Sequence, residues 1–405
     1  MMWSERTRRV AIVVLAAAGI LPLLGIAADS GAKSYIVYLG TYTRVASKGI
    51  YGYRFTPSTG NLVPLGLIQE ANNPSWLAEH PNHRFLYAAN EHASKTDPGN
   101  TVTAYAMDRT TGKLTFLNKV STKGKGPAHL SIDKEGKILA AANFGSGSVA
   151  TFPIHPDGSL GEVAGFVEHH GTAAGPQIAL DENGLSPTDP HNHCVMFSPD
   201  GRFLLVCNIG LGKIFVYRIN HATGTLEQNG EPFSHPEIGW RPRHLVFHPN
   251  GKYVSMISSS MEVTTAAYDA AKGTLKEIQT APVAEGESGP SAGSEIQVDR
   301  TGRFVYTSSR GVGATLSASH TAGTINIFSV DAAGKLTPVQ HVSSLGDTPR
   351  NFALDPSNRY MFVGNEYGGN IAVFSIDPKT GMLTSTGKIL TDVPEPSCIL
   401  FVAEQ

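Results

Sequence analysis

The sequence has few charged residues and no excess of either sign. Lys, Arg, Asp and Glu make up 16% of its 405 residues, whereas a typical soluble protein has about 25%. The 32 basic residues are balanced by 34 acidic ones, so the chain lacks the basic surface expected of a nucleic-acid-binding protein. Hydrophobic residues amount to 41%. This excludes intrinsic disorder, which needs low hydrophobicity and high charge, and indicates a large folded core.

Cysteine is also scarce. The chain contains Cys194, Cys207 and Cys398, and this small odd number excludes a fold held together by a disulfide framework. Cys194 and Cys207 flank the turn at 198–201 and could face each other across a hairpin. In an oxidising compartment this pair could form a disulfide. The alternative is two buried free thiols, and we expect the free thiols.

Long hydrophobic runs are missing after the N-terminal segment. There, Arg6, Arg8 and Arg9 precede an uncharged run at 10–28 that ends in small residues. This order is typical of a secretory signal peptide and predicts that residues 1–28 are removed on export, most simply to a bacterial periplasm. The alternative is an uncleaved anchor, because an uncharged run of this length could just span a bilayer. In that case the chain would contact a membrane only through this segment.

Glycine and proline, in contrast, are plentiful, with 43 and 25 residues, and they separate the copies of a repeat. Each copy is a strand, a turn and a second strand that begins with an aromatic or aliphatic residue. These first residues are Tyr35, Phe85, Ile138, Phe203, Tyr253, Phe304 and Tyr360. A second marker, Gly-x-Leu or its equivalent, has its glycine at positions 60, 112, 158, 224, 273, 334 and 381. Two independent markers therefore indicate seven copies.

The repeat predicts the fold class. A mean spacing of about 54 residues fits four short antiparallel strands, which is the length of one β-propeller blade. The sequence thus predicts an all-β chain that forms a single seven-bladed β-propeller domain at 34–402. The first copy lacks its innermost strand, and the apolar segment at 396–402 has no strand after it. We therefore expect the C-terminal strand to close the first blade and remove an open sheet edge.

One face of this propeller is the expected site. Because strands alternate in direction, every innermost strand starts on the same face, and the long connections at 168–190 and 311–323 lie there as well. Long loops gathered at one end of a rigid scaffold usually carry function. The starts of the innermost strands also bring ionisable side chains together, and charged groups that converge in a concave site indicate function.

The candidate residues form two groups. The expected catalytic residues are His191, His193 and Arg243, and the expected substrate-binding residues are His129, His244, Glu295, Arg310, Arg350 and Asn351. His191 or His193 would act as general base, because imidazole titrates near neutral pH. The arginines would bind carboxylate or phosphate. The alternative for both residue types is a structural role. No Asp or His cluster at ligand spacing accompanies the histidines, so we expect neither a metal nor another cofactor.

Several motifs at these positions are specific in combination. They are YLGTY at 38–42, HHG at 169–171, PHNH at 190–193, PRH at 242–244, SSRG at 308–311 and PRNF at 349–352. In these motifs the whole chain after the leader resembles the seven-bladed propeller lactonases, which include bacterial 6-phosphogluconolactonases and fungal carboxymuconate lactonizing enzymes. The resemblance implies a site built from the PHxH histidines, the PRH arginine and a glutamate at the end of the next strand.

Three positions depart from that family pattern. Ser259 stands where the glutamate is usual, Asn208 where an aspartate is usual, and Ser309 where an asparagine is usual. Loss of a carboxylate from an acid–base site commonly lowers the rate by orders of magnitude, although Glu91, Glu295 or Glu366 could compensate. The fold expectation is unaffected by these departures, whereas the expectation of activity depends on such a replacement.

The expected function is hydrolysis of a sugar lactone, either a 6-phosphogluconolactone or an unphosphorylated aldonolactone. The alternative is a non-catalytic exported propeller that binds a sugar acid, a cell-wall fragment or a protein partner. A weaker alternative is a muconate-type cycloisomerase. We expect a monomer whose partner is a small-molecule lactone or sugar acid and not a nucleic acid.

Overall fold

The computed structural model describes residues 34–94, 98–171, 189–236, 239–283, 292–311 and 322–405. The predicted signal segment at 1–28 and most of the two long connections at 168–190 and 311–323 lie outside these ranges. Within them, no helix has the length and apolar character needed to cross a membrane.

Strands make up seven antiparallel sheets in the described residues. Blade 1 holds β1 (Tyr35–Thr41), β2 (Gly49–Thr56) and β3 (Asn61–Glu70). Blade 2 holds β4 (Pro74–Glu79), β5 (Phe85–Asn90), β6 (Thr101–Met107) and β7 (Leu114–Ser121). Blade 3 holds β8 (Pro127–Ile132), β9 (Ile138–Asn143), β10 (Ser148–Pro153) and β11 (Gly165–Glu168). Blade 4 holds β12 (Asn192–Phe197), β13 (Phe203–Asn208), β14 (Lys213–Ile219) and an outer strand split into β15 (Leu226–Gln228) and β16 (Phe233–Ser234).

The remaining blades follow the same order. Blade 5 holds β17 (Pro242–Phe247), β18 (Tyr253–Ser258), β19 (Glu262–Asp269) and β20 (Thr274–Pro282). Blade 6 holds β21 (Gly293–Val298), β22 (Phe304–Ser309), β23 (Ala322–Val330) and β24 (Leu336–Asp347). Blade 7 holds β25 (Pro349–Leu354), β26 (Tyr360–Asn365), β27 (Asn370–Ile376) and β28 (Leu383–Leu390), and the last strand is β29 (Pro396–Ala403). The predicted seven-bladed β-propeller is confirmed.

The last strand closes the first blade, as the sequence predicts. Strand β29 pairs antiparallel with β1, from Tyr35 opposite Ala403 to Gly40 opposite Cys398. The pairing makes β29 the innermost strand of a sheet whose order is β29, β1, β2, β3. Both ends of the chain therefore hold one blade together, and the inner edge of that sheet is covered.

The two sequence markers contact each other between neighbouring blades. The marker residues 35, 85, 138, 203, 253, 304 and 360 are the first residues of β1, β5, β9, β13, β18, β22 and β26. All seven marker glycines have a positive φ, as a tight turn of this kind requires. At Gly158, a Cβ would come within 2.2 Å of Phe85 in the preceding blade, and Gly273 faces Phe203 in the same way at 2.4 Å. The glycine thus makes room for the marker ring of the blade before it.

Every innermost strand carries a β-bulge at its start, which the sequence does not predict. In β17, Pro242 pairs with Ser258 and His244 with Ile257, so Arg243 is the extra residue. The same register shift occurs at the start of β4, β8, β12, β21, β25 and β29. Because a bulge re-aims side chains, we infer that two consecutive residues at the start of each innermost strand turn toward the propeller axis. We call this end of the axis the funnel mouth.

Candidate active site

The site is built from the paired bulge residues of the innermost strands. Blades 4 to 7 contribute His193 with Cys194, Arg243 with His244, Ser294 with Glu295, and Arg350 with Asn351. Most of these side chains are buried in the described structure, and they bond to the equivalent residues of the next blade. The repeat therefore converts seven similar strand starts into one ring of side chains.

A hydrogen-bonded chain links side chains of four blades in this ring and ends at the closing strand of a fifth. The Nδ1 atom of His193 lies 3.0 Å from Nε2 of His244, and Nδ1 of His244 lies 3.1 Å from Oε1 of Glu295. The other carboxylate oxygen of Glu295 accepts a hydrogen bond from the Asn351 amide. The Oδ1 atom of Asn351 accepts in turn from the backbone N–H of Ile399 in the closing strand, at 2.9 Å. We call His193, His244 and Glu295 the relay.

Burial determines the protonation of the relay. It raises the pKa of Glu295 to about 7, although a hydrogen bond from the Ile296 N–H opposes this shift. Burial also lowers the pKa of His193 well below its usual value, and the charge of Arg243 adds to the effect. The pKa of His244 is lowered by burial as well. Both imidazoles are therefore neutral at physiological pH, while Glu295 titrates near it.

The hydrogen bonds also determine which ring nitrogens carry protons. An ionised Glu295 only accepts hydrogen bonds, so Nδ1 of His244 carries the proton and Nε2 of His244 is an acceptor. His193 must then donate from Nδ1, because each neutral imidazole has one N–H. Its Nε2 atom remains unprotonated and is the basic nitrogen at the end of the relay.

Aromatic rings pack against the relay. The ring centroid of Trp76 lies 4.0 Å from that of His129 and 5.4 Å from that of His244. The ring of Phe144 contacts His193 edge-on at 5.5 Å. These rings limit the orientations open to the imidazoles and reduce their contact with water.

Two arginines next to the relay, the buried Arg243 and the half-buried Arg310, have no described acidic partner. Arg243 donates from Nε to the Ser294 carbonyl at 3.2 Å, and Arg310 donates from Nε to the Ser294 hydroxyl at 3.2 Å. Neither guanidinium forms an ion pair with a described carboxylate, unlike Arg350, and Nη2 of Arg310 is buried without a partner in the described part of the chain. Burial lowers the pKa of both guanidiniums; the charges of Arg310 and Arg350 add to this effect at Arg243, and the charge of Arg350 adds to it at Arg310. An anionic ligand would relieve this excess of positive charge.

Arg350 has different surroundings. Its guanidinium lies 3.6 Å from Glu91 and 3.8 Å from Glu366, and over the ring of Tyr42 at 4.9 Å. Arg44 covers the same ring at 4.3 Å and pairs with Glu366. The charge of Arg350 is thus neutralised within a cluster of charged and aromatic side chains. The cluster includes Tyr42 and Arg44, which are not among the predicted site residues. Tyr42 ends the YLGTY motif, which was the available signal.

The remaining predicted residues lie beside the relay. His191 donates from Nδ1 to the Phe144 carbonyl at 2.9 Å, and its ring stacks on Phe144, so it is not a member of the relay. His129 contacts Cys194, with 3.7 Å between Nε2 and Sγ. Ser259 holds the Arg241 carbonyl through its backbone N–H at 2.7 Å. Among the described residues, the carboxylate that bonds to the relay histidines is that of Glu295.

No group of three or more His, Cys, Asp or Glu side chains within the described ranges is arranged to hold a metal ion. The chemistry that these side chains can perform is acid–base transfer through the relay and binding of an anion by Arg243 and Arg310. Both groups meet at the same funnel mouth. This arrangement suits attack of water on a polarised carbonyl group.

Comparison with known proteins agrees with this geometry. A family model described as lactonase, 7-bladed beta-propeller, matches residues 36–401. A relative from Bacillus subtilis strain 168 named 6-phosphogluconolactonase is 33% identical over 371 residues, which cover 91% of this chain and 98% of the relative. A solved periplasmic gluconolactonase from Pseudomonas aeruginosa is 30% identical, with a TM-score of 0.80 over 92% of this chain and 100% of that chain.

Proposed function

The chain belongs to the seven-bladed β-propeller lactonase family, and from this premise we propose that it is a hydrolase that opens the ester ring of a sugar lactone. The observation that carries the proposal is the relay, which ends in a basic nitrogen on His193. The relay lies next to Arg243 and Arg310, which have no described acidic partner. The printed names of the relatives support lactone substrates.

In the proposed reaction, Nε2 of His193 removes a proton from water. The proton on Nδ1 of His193 moves to His244, and the proton on Nδ1 of His244 moves to Glu295. The hydroxide attacks the lactone carbonyl carbon, the bond between that carbon and the ring oxygen breaks, and the proton returns to the leaving alkoxide. Such general acid–base catalysis typically accelerates a reaction by about 10²–10⁴. The relay works only while Glu295 is ionised.

Arg243 and Arg310 are the proposed anion-binding groups. A guanidinium beside the carbonyl oxygen stabilises the negative charge that develops during attack, and a second guanidinium can hold an anionic substituent or the carboxylate product. Arg350 is neutralised by Glu91 and Glu366, so we assign it to holding the arginine cluster in place. His129 and Asn351 orient the ring around the relay, and His191 holds Phe144 beside His193.

An unphosphorylated aldonolactone is the proposed substrate. The N-terminal arginines and the uncharged run at 10–28 favour export, and a periplasmic gluconolactonase has the same fold. Sugar phosphates are mainly cytosolic, which disfavours a phosphorylated substrate for an exported enzyme. We therefore propose a periplasmic enzyme whose small-molecule partner is a free sugar lactone.

The test is acid release from gluconolactone and from its 6-phosphate by the mature protein, corrected for spontaneous hydrolysis. We expect turnover of gluconolactone and its loss in the His193→Ala and Arg243→Ala variants. His248→Ala is the matched control, because His248 is also buried but bonds to Ser255 at the opposite end of the blade. Full activity in both site variants would contradict the assigned site. A preference for the 6-phosphate would overturn the proposed substrate and leave the relay intact.

One observation favours a second candidate function, a non-catalytic propeller that binds a sugar acid. Ser259 stands where the family usually has a glutamate, and its backbone N–H bonds to the Arg241 carbonyl. If Glu295 does not replace that glutamate, the arginines would still bind an anion without turnover. Thermal stabilisation by gluconate together with no hydrolysis of any lactone would establish this alternative and overturn the hydrolase proposal.

A further inference from the structure

Two cysteines face each other at the floor of the site. Cys194, the second bulge residue of β12, pairs directly with Cys207 of β13. Both side chains are fully buried, and both are free thiols. Directly opposed Cα atoms in antiparallel strands lie about 4.5–5.5 Å apart, which is within the range that a disulfide spans.

Cys194 also contacts the ring of site residues. Its Sγ atom lies 3.7 Å from Nε2 of His129, and His129 stacks against Trp76. The Nδ1 atom of His129 is buried and has no partner among the described residues. The contact with Cys194 is therefore the one polar contact that orients this imidazole in the described structure.

The surroundings favour the thiolate form of one cysteine of the pair. Burial opposes ionisation of Cys194, but the neighbouring Cys207 thiol and the imidazole of His129 outweigh it and hold its pKa well below the usual value. Burial and the neighbouring sulfur raise the pKa of Cys207. A thiolate beside a protonated thiol is the arrangement in which an oxidant reacts at one sulfur and the other resolves the product.

We propose that Cys194 and Cys207 form a disulfide with hydrogen peroxide as oxidant, and that this bond withdraws Cys194 from His129. The Cys194 thiolate attacks one peroxide oxygen, which gives a sulfenic acid and hydroxide. The Cys207 thiol then attacks the Cys194 sulfur, the S–S bond forms, and the sulfenic oxygen leaves as water after taking up the thiol proton. In sum, two thiols and one peroxide give one disulfide and two waters. A small oxidant is required because both sulfurs are buried.

Thiol labelling of the folded mature protein tests the disulfide. The reduced protein is treated with hydrogen peroxide, quenched, unfolded and alkylated with N-ethylmaleimide. We expect the reduced protein to carry three labels, one for each free cysteine, and the oxidised protein to carry one, on Cys398. Non-reducing peptide mapping should show a peptide linked through Cys194 and Cys207. Three labels after oxidation, a link that includes Cys398, or oxygen adducts without a link would each overturn the proposal.

A second arm tests the effect on the site. The Cys194→Ser variant can form neither the sulfenic acid nor the disulfide, and Cys398→Ala is the matched variant that retains the pair. Relative to the untreated turnover of each variant, we expect peroxide to lower lactone turnover at least several-fold in Cys398→Ala, with recovery after dithiothreitol, and we expect no recoverable loss in Cys194→Ser. Equal, recoverable losses in both variants would overturn the coupling to His129. Labelling does not depend on turnover, so failure of the disulfide and failure of the proposed function can be distinguished.

Discussion

Strand β21 places a buried carboxylate at each of its two ends, and the two carboxylates have contrasting partners. Asp299, just after the last residue of β21, accepts hydrogen bonds from the backbone N–H groups of Arg303 and Phe304. Glu295, near the first residue, bonds to side chains of the two neighbouring blades, His244 and Asn351. Both are almost fully buried. One carboxylate is held by its own turn, and the other by three blades together.

The difference shows how the propeller separates stability from chemistry. At the turn end, the carboxylate of Asp299 accepts hydrogen bonds from backbone N–H groups of its own turn. Asp133 and Asp355 do the same with the backbone N–H groups four and five residues later. The funnel end depends on contacts between blades, and burial raises the pKa of Glu295 to about 7. Changes at the turn end should therefore affect folding, whereas changes at the funnel end should affect turnover.

The largest expected effect is the loss of turnover in Glu295→Gln and His193→Ala. Removing the acceptor or the base of the relay should lower kcat by about 10²–10⁴, with a smaller change in KM, measured by acid release from gluconolactone. His248→Ala, at the turn end, should keep kcat within a factor of about three because it does not contact the relay. If His248→Ala loses as much activity as Glu295→Gln, the separation of the two ends is wrong.

Next in size is the pH dependence of stability at Glu295. The pKa of Glu295 is about 7 in the folded protein and near 4.5 in its ordinary state, so the folded state holds the proton more tightly. The stabilisation is complete below about pH 4.5 and is lost as the pH rises through 7. Relative to Glu295→Gln, the wild type should lose about 3 kcal/mol across this window, measured by urea unfolding at a series of pH values. A constant difference between the two proteins would contradict the buried carboxylate.

At the turn end, Asp299→Ala should lower the free energy of unfolding by about 1–3 kcal/mol, because two backbone amides lose their acceptor. The turnover of the folded fraction should remain unchanged. Asp299→Asn keeps one acceptor oxygen and should lose less. Urea unfolding measures the first effect, and kcat per folded molecule measures the second. A fall in kcat of Asp299→Ala without a change in its free energy of unfolding would contradict the separation of the two ends.

The smallest expected effect is that of Asn351→Ser. Asn351 does not touch the base, but it bonds to Glu295 and to the N–H of Ile399. Its loss should lower kcat by a factor of about 3–10 and shift the pH profile, since the carboxylate loses one donor. Asn351→Asp should not restore the profile, because it places a second negative charge beside Glu295. An unchanged pH profile in both variants would remove Asn351 from the site.

The sequence predicts the fold because its markers are local. The residues that begin the second strands and the turn glycines mark each blade within the blade itself, and the contact of Phe85 with Gly158 explains why both markers recur. The missing inner strand of the first copy likewise predicts closure by β29. These features need no knowledge of which blades touch.

The site could be predicted as a set of residues but not as a network. The bulges that turn consecutive side chains to the funnel are a matter of strand register, although proline is the first residue of five of the seven innermost strands. The relay partners are separated by 51 residues, which is about one repeat. Alignment of the copies would have brought Arg243 and His244 into line with Arg350 and Asn351, and this was the signal for contacts between blades. That Arg243 and Arg310 have no acidic partner among the described residues depends on packing alone.

The most direct test of the relay is the pH dependence of kcat/KM for gluconolactone hydrolysis in the wild type and in Glu295→Gln. If an ionised Glu295 completes the relay, kcat/KM of the wild type should rise with pH through about 7, in agreement with the pKa of this carboxyl. The variant should be slower throughout and should lack that rise. The same rise in both proteins, at similar rates, would contradict the relay.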